Sequence, residues 1–208
     1  MNSPFEQIGR KNPLILASAS PRRKRLLEQA RLPFKIEVSQ ILEETLGEPE
    51  ELCLRLAREK AVDVSFRTGP SWILGADTIV VMGDKILGKP VDKKDALGML
   101  SLLSGKMHRV MTGFCILAPS GTSAHLETVS TIVTVKELGE NELEAYVDTG
   151  EPFGKAGGYA IQGIGSFMVE SISGSYTNVV GLPLCAVIKA LLKVGALERF
   201  PLPSEIVK

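Results

Sequence analysis

The stretch Leu14-Ile-Leu-Ala-Ser-Ala-Ser-Pro-Arg-Arg-Lys-Arg-Leu-Leu27 reads as a strand that runs into a helix. Leu14 to Ala17 is an apolar run with the length of a buried strand. Ser20 suits a helix N-cap, because its hydroxyl can accept from a first-turn N–H. Pro21 then falls at the first helical position, where its missing N–H costs nothing. Leu26, Leu27 and Ala30 give the helix an apolar face. The turn presents backbone N–H groups, two serine hydroxyls, Arg22 and Arg23 at a helix N-terminus. Cations there oppose the helix dipole, and something negative would relieve the conflict; a phosphate chain is the natural candidate. An ordinary strand–turn–helix with two solvated arginines would read the same way, so the rest of the chain has to decide.

Bulk composition narrows the setting. The chain has 208 residues, enough for one α/β domain or two small lobes, and its 44% apolar content is that of a globular core. Lys+Arg and Asp+Glu balance at 24 each, so there is no general attraction to nucleic acid or to an anionic membrane, and any anion site must be local. Cys53, Cys115 and Cys185 are odd in number and widely spaced; they make neither a disulfide framework nor a zinc knuckle and suit a reducing cytoplasm. With only His108 and His125, a histidine-built metal site is not expected. Met1 to Pro13 lacks the apolar core of a signal peptide, and no apolar run approaches a membrane span.

Along the chain, Phe34 to Val38 alternates as a short strand, and an acidic segment with Glu43, Glu44, Glu48 and Glu50 leads into a helix from Glu50 to about Val64. Gly75-Ala-Asp-Thr-Ile-Val-Val-Met82 is an apolar strand carrying one carboxylate, Asp77. A buried acid is costly unless it is paired or binds a metal. It is either a charge paired with a lysine or a carboxylate held rigidly beside a phosphate site. Gly83-Asp84 turns the chain back, placing Lys89 on the neighbouring strand or at its end. Asp92 caps a helix over 93–103. Strands follow over 109–117 and 127–135, then a helix from about Asn141 to Asp148.

Gly150-Glu-Pro-Phe-Gly-Lys-Ala-Gly-Gly-Tyr-Ala-Ile-Gln-Gly-Ile-Gly165 holds too many glycines for a packed element. Such a loop lets backbone N–H groups approach a ligand closely. Lys155 lies within it, and Gln162 offers a donor and an acceptor suited to a base edge. Tyr159, Ile161 and the alternation after Phe167 favour an ordered loop over a flexible linker. Ser173 to Asn178 reads as a further turn, and Leu182 to Val194 as the last helix. Helices alternating with strands, together with hairpins, imply an α/β fold: a mixed central sheet flanked by helices, in two lobes with a cleft.

Seven blocks in order now resemble one family. They are Ser18-Ala-Ser-Pro-Arg-Arg23, Leu56-Ala-Arg-Glu-Lys-Ala61, Gly75-Ala-Asp-Thr78, Gly88-Lys-Pro90, Ser104 to Gly113, Lys155-Ala-Gly-Gly-Tyr-Ala-Ile-Gln-Gly163 and Gly174 to Pro183. Together, from about Leu14 to Leu191, they resemble the Maf family of nucleotide pyrophosphatases, in the branch that hydrolyses dTTP and UTP. The resemblance implies a single Maf/ITPase-like domain over 1–208, with 1–12 as an N-terminal extension. It implies a hydrolase that converts a nucleoside triphosphate to the monophosphate and pyrophosphate, as house-cleaning of modified or non-canonical nucleotides. On the same basis Asp77 matches the catalytic proton acceptor. Arg22, Thr78 and Gln162 match the specificity positions, and Ser18, Arg23, Lys60, Lys89 and Lys155 match positions around the triphosphate. Asp77 with Glu43 would hold a divalent metal cation, Mg²⁺ or Mn²⁺. Gly154, where the family usually has Asp, and Ala160, where Gly is common, are departures. The expected partner is a nucleoside triphosphate, with no nucleic acid and no membrane, and a homodimer is the expected assembly. The alternatives are a pyrophosphatase for 7-methyl-GTP or inosine triphosphate, or a nucleotide-binding regulator of cell division.

Overall fold

The computed structural model describes residues 4–43 and 46–203. Glu44 of the acidic segment, residues 1–3 of the expected extension and residues 204–208 of the tail lie outside the described residues. A seven-stranded mixed sheet runs in the order β2-β1-β3-β5-β6-β7, with β4 paired to β3. The strands are β1 (Leu14–Leu16), β2 (Phe34–Ile36), β3 (Ile73–Met82), β4 (Lys85–Leu87), β5 (Met107–Leu117), β6 (Ser123–Val135) and β7 (Val169–Ser173). β1 lies parallel to both β2 and β3, whereas β3–β4 and β6–β7 are antiparallel. This is the mixed α/β architecture expected from the hairpins.

The chain divides into two compact units. The first comprises 1–77, 112–129 and 181–208; the second comprises 78–111 and 130–180. In the first, α1 (Pro21–Gln29), α2 (Pro49–Ser65) and α6 (Leu184–Lys193) accompany the strands. Ile15, Ala17, Ala57, Ala61, Val64, Ile73, Cys115 and Leu117 form a core cluster here. Its small residues let α2 sit low on β3. A Cβ at Gly75 would lie 2.1 Å from the Ala57 carbonyl oxygen, so only glycine allows this approach. The consequence for function is positional: α2 brings Lys60 down onto Asp77 of β3. The described part of the N-terminal segment is packed against this unit. Phe5 meets Trp72 edge-on, the Trp72 indole N–H donates to the Glu6 carbonyl, and Ile8 is buried.

The second unit holds α3 (Lys93–Leu103), α4 (Glu140–Asp148) and α5 (Tyr176–Val180). Asp92 caps α3 by accepting from the Asp95 N–H at 2.8 Å. Val80, Leu100, Val110, Val133, Tyr146, Tyr159 and Met168 belong to its core cluster. Tyr159 comes from the glycine-rich stretch, which is therefore an ordered loop. Several boundaries differ from those expected of the sequence. The 173–178 turn continues into the short helix α5, because Ser175 caps it, accepting from the Asn178 N–H at 3.2 Å. The helix after the acidic segment starts a residue early, at Pro49, which is at home in a first turn. β5 begins at Met107, so His108 lies within the strand. β6 starts at Ser123, before the Thr/Val-rich run at its centre. α6 starts at Leu184 rather than Leu182, with Pro183 at its N-cap.

Candidate active site

The first unit gathers Ser18, Arg22, Arg23, Glu43, Lys60 and Asp77. Ser20 caps α1 by accepting from the Arg23 N–H, and Pro21 occupies the first turn, as its chemistry requires. The side chain of Arg23 folds back into the unit, where it is buried. Its Nε donates to the Gly181 carbonyl at 2.7 Å and its Nη1 to Ser18 Oγ at 3.0 Å. Ser18 Oγ also accepts from the Ser20 N–H at 3.2 Å, so one hydroxyl organises both the turn and the guanidinium. Arg22 is half-buried beside it.

Burial lowers the pKa of both guanidinium groups. For Arg23, Asp77 and Glu43 oppose that fall and Arg22 adds to it. A desolvated guanidinium pair at a helix N-terminus can take an anion: a phosphate oxygen would supply counter-charge, and the planar fork suits two such oxygens at once.

Asp77 is buried in mid-strand, and α2 explains how the unit tolerates it. Lys60 Nζ, itself buried, lies 2.5 Å from Asp77 Oδ1 and 2.7 Å from Glu43 Oε1. Two carboxylate oxygens thus converge on one ammonium. The structure bears out the pairing of Asp77 with a lysine, and the pair is held between a strand and a helix. The donor set also fits a hard divalent cation. Asp77 and Glu43 bring two oxygen ligands together, and no group of three or more metal-binding side chains occurs among the described residues. A cation held there would take its remaining ligands from water and substrate, as Mg²⁺ does.

Thr78, Lys89, Lys155 and Gln162 belong to the second unit. Thr78 follows Asp77 directly on β3 and is half-buried. Lys89 is exposed just beyond β4. The Gly157 N–H donates to the Gly88 carbonyl at 2.9 Å, which fastens the loop bearing Lys155 and Gln162 to the segment bearing Lys89. Lys155 Nζ donates to the Glu151 carbonyl. That main-chain anchor orients Lys155 although Gly154 replaces the usual Asp, and Gly154 has φ +74, a conformation that favours glycine. Gln162 is half-buried, a short step along the loop from Tyr159.

Two residues outside the expected site set support this loop. His108 Nε2 and Tyr159 Oη lie 2.7 Å apart, and both residues are buried. Glu151 receives three hydrogen bonds through its carboxylate. The signal available in the sequence is faint: one acid at the mouth of a glycine run, and one histidine at the start of a strand.

A family model described as Maf-like protein matches residues 13–194. The dTTP/UTP pyrophosphatase of Geobacter sulfurreducens is 50% identical over 189 residues, covering 90% of this chain and 99% of that protein. The protein of the same name from Halalkalibacterium halodurans is 48% identical over 191 residues, covering 90% and 99%. The one from Desulfotalea psychrophila is 48% identical over 182 residues, covering 86% and 93%. A solved structure titled nucleoside-triphosphatase / dITP/XTP pyrophosphatase, from Mycobacterium abscessus, overlaps with a TM-score of 0.36 at 14% identity. It covers 61% of this chain and 75% of that one, too slight an overlap to bear weight.

Proposed function

The chain belongs to the Maf family, and from that premise we infer that it is a nucleoside triphosphate pyrophosphatase acting on dTTP and UTP. The relatives matched over nine-tenths of the chain carry that name. The observation that carries the chemistry is the Asp77–Lys60–Glu43 cluster, in the same unit as the buried Arg23.

Water attacks phosphorus, the bond between the α- and β-phosphates breaks, and the products are a nucleoside monophosphate and pyrophosphate. Such displacements are limited mainly by positioning and by charge on the phosphoryl oxygens. Arg22, Arg23, Lys60, Lys89 and Lys155 supply cationic donors. The arginines grip pairs of oxygens, and the lysines act as point charges. Asp77 orients the water and takes its proton. Asp77 and Glu43 would hold Mg²⁺ or Mn²⁺, which supplies Lewis-acid polarisation of the phosphate and lowers the pKa of bound water. Gln162, with Thr78 and Arg22, reads the pyrimidine; an amide can donate to O4 while accepting from N3–H. The proposal includes a homodimer working in the cytoplasm on the nucleotide pool. No helix among the described residues is long and apolar enough to cross a membrane.

The test is pyrophosphate release from dTTP, UTP, CTP, GTP, 7-methyl-GTP and ITP, with and without Mg²⁺ or Mn²⁺. Metal-dependent release from dTTP and UTP, an order of magnitude above the purines, is the expected result. Turnover confined to 7-methyl-GTP or ITP would overturn the specificity. Nucleotide binding with no turnover would favour a regulatory module. Light scattering of the purified protein reads the assembly.

A further inference from the structure

The geometry points to Glu151 as the residue that positions Gln162, by clamping the backbone directly after it. This rests on the specificity role proposed for Gln162. Glu151 Oε1 accepts from the Ile164 N–H at 3.0 Å, and Oε2 accepts from the Gly165 N–H at 2.7 Å and from the Tyr146 hydroxyl at 2.9 Å. The two amides belong to the second and third residues after Gln162. A carboxylate bonded to two nearby N–H groups behaves as a capping group, and charge-assisted bonds of this kind are the strong ones.

The intervening residue shows how closely the loop wraps the acid. Gly163 has φ +105, and a Cβ built on it would fall 2.2 Å from Glu151 Oε1. Only glycine can stand there while the clamp is closed, and its position between Gln162 and Ile164 fixes where the amide side chain emerges. The clamp is in turn secured at its base. Tyr146 lies in α4 within the core cluster, and its hydroxyl aims Oε2. The main-chain carbonyl of the same Glu151 receives Lys155, so one residue serves both the phosphate-facing and the base-facing ends of the loop. Burial alone would raise the Glu151 carboxyl, but its hydrogen bonds outweigh that and hold it below the ordinary range, so the clamp is closed at neutral pH.

The experiment compares wild type with Glu151→Gln, Gln162→Ala and the double variant. Two quantities are read: amide hydrogen exchange at Ile164 and Gly165 without nucleotide, and the preference for dTTP over CTP from kcat/KM. Glu151→Gln puts an N–H₂ where an acceptor is needed, so one backbone bond is lost. Exchange at these amides is expected to speed up about tenfold or more. The preference is expected to fall by about the same factor as in Gln162→Ala, with no further fall in the double variant. Equal loss for both nucleotides with the preference kept, additive losses in the double variant, or unchanged exchange would each overturn the positioning role. Should Glu151→Gln fail to fold, Tyr146→Phe keeps the carboxylate and removes only its base. A smaller shift in the same two quantities is then expected, and its absence counts against the clamp. The exchange arm needs no turnover. A protein inert to every nucleotide would therefore refute the proposed function, while exchange at Ile164 and Gly165 would still show whether Glu151 holds the loop.

Discussion

The two units solve the problem of holding a charged side chain in different ways. In the first, Asp77 sits on a strand and Lys60 on a helix, and Glu43 Oε1 meets the same ammonium. Position is set by regular elements packed closely enough to require Gly75. In the second, Lys155 and Gln162 ride on a loop fixed by discrete hydrogen bonds to Glu151, Gly88 and His108. On the proposed roles, Asp77, which does the chemistry, stands on rigid backbone, where small displacements are costly. Gln162, proposed to read the base together with Thr78 and Arg22, stands on a loop whose supports can be exchanged one at a time.

That contrast is broken most severely at Asp77. Asp77→Asn keeps the shape and removes the proton acceptor, so kcat is expected to fall by about a thousandfold or more with nucleotide affinity kept within a few-fold. Single-turnover kinetics alongside calorimetric binding check this, and activity within a few-fold of wild type would remove Asp77 from the mechanism.

The next largest effect is on stability. Lys60→Met leaves the buried Asp77 carboxylate without its ammonium and facing the exposed Glu43. Breaking a buried pair from one side costs about 3 kcal/mol or more, read by urea denaturation. A divalent cation is expected to restore part of the loss in this variant, because it takes up the same two oxygens. Loss without recovery in Mn²⁺ would argue against the metal pair.

His108 sharpens the comparison from the loop side. Burial holds its imidazole down to about 4, because the charged form would lose its solvation in the core. The unfolded chain protonates near the ordinary value of about 6.5. Between these values the unfolded state binds the extra proton, so this contribution is complete above about pH 6.5 and is lost as pH falls toward 4. At full effect it amounts to about 3 kcal/mol. In His108→Gln the stability profile should be flatter over that window, with the fold judged by circular dichroism. Parallel profiles would assign the acid sensitivity elsewhere.

The smallest expected effect is at Gln162. Gln162→Ala should lower the preference for dTTP and UTP over CTP about tenfold while leaving kcat for dTTP within a few-fold. An unchanged ranking across the nucleotide panel would move base reading to other groups of the loop.

Much of this is legible in the sequence because the decisive residues obey local rules. Ser20 and Pro21 announce the start of α1, and Asp92 that of α3. The apolar run around Asp77 marks a buried strand. The glycine-rich stretch reads as an ordered loop, and Tyr159 is packed into the core. Other features depend on partners distant in the chain and have no local signature. Arg23 reads either as a phosphate ligand or as a solvated arginine, and its guanidinium is buried against Gly181, 158 residues away in sequence. Lys60 reads as a phosphate lysine, and the structure gives it two carboxylates first. Glu151 and His108 act through side chains that become neighbours only when the loop closes on the core. The short helix α5 escapes notice because Ser173, Gly174, Ser175, Thr177 and Asn178 look like a turn until Ser175 is seen to cap.

The ammonium between Asp77 and Glu43 has one more implication, for the life of the protein in a cell. Small zinc domains fold only when their metal arrives. Here the Lys60 ammonium already pairs with both acids, so the fold is expected to form without any ion, and a chelator should leave the melting temperature where it was. On the proposed metal dependence, the chain can accumulate during scarcity as a finished, silent enzyme. Its output then follows the supply of the ion within moments of resupply, with no new translation.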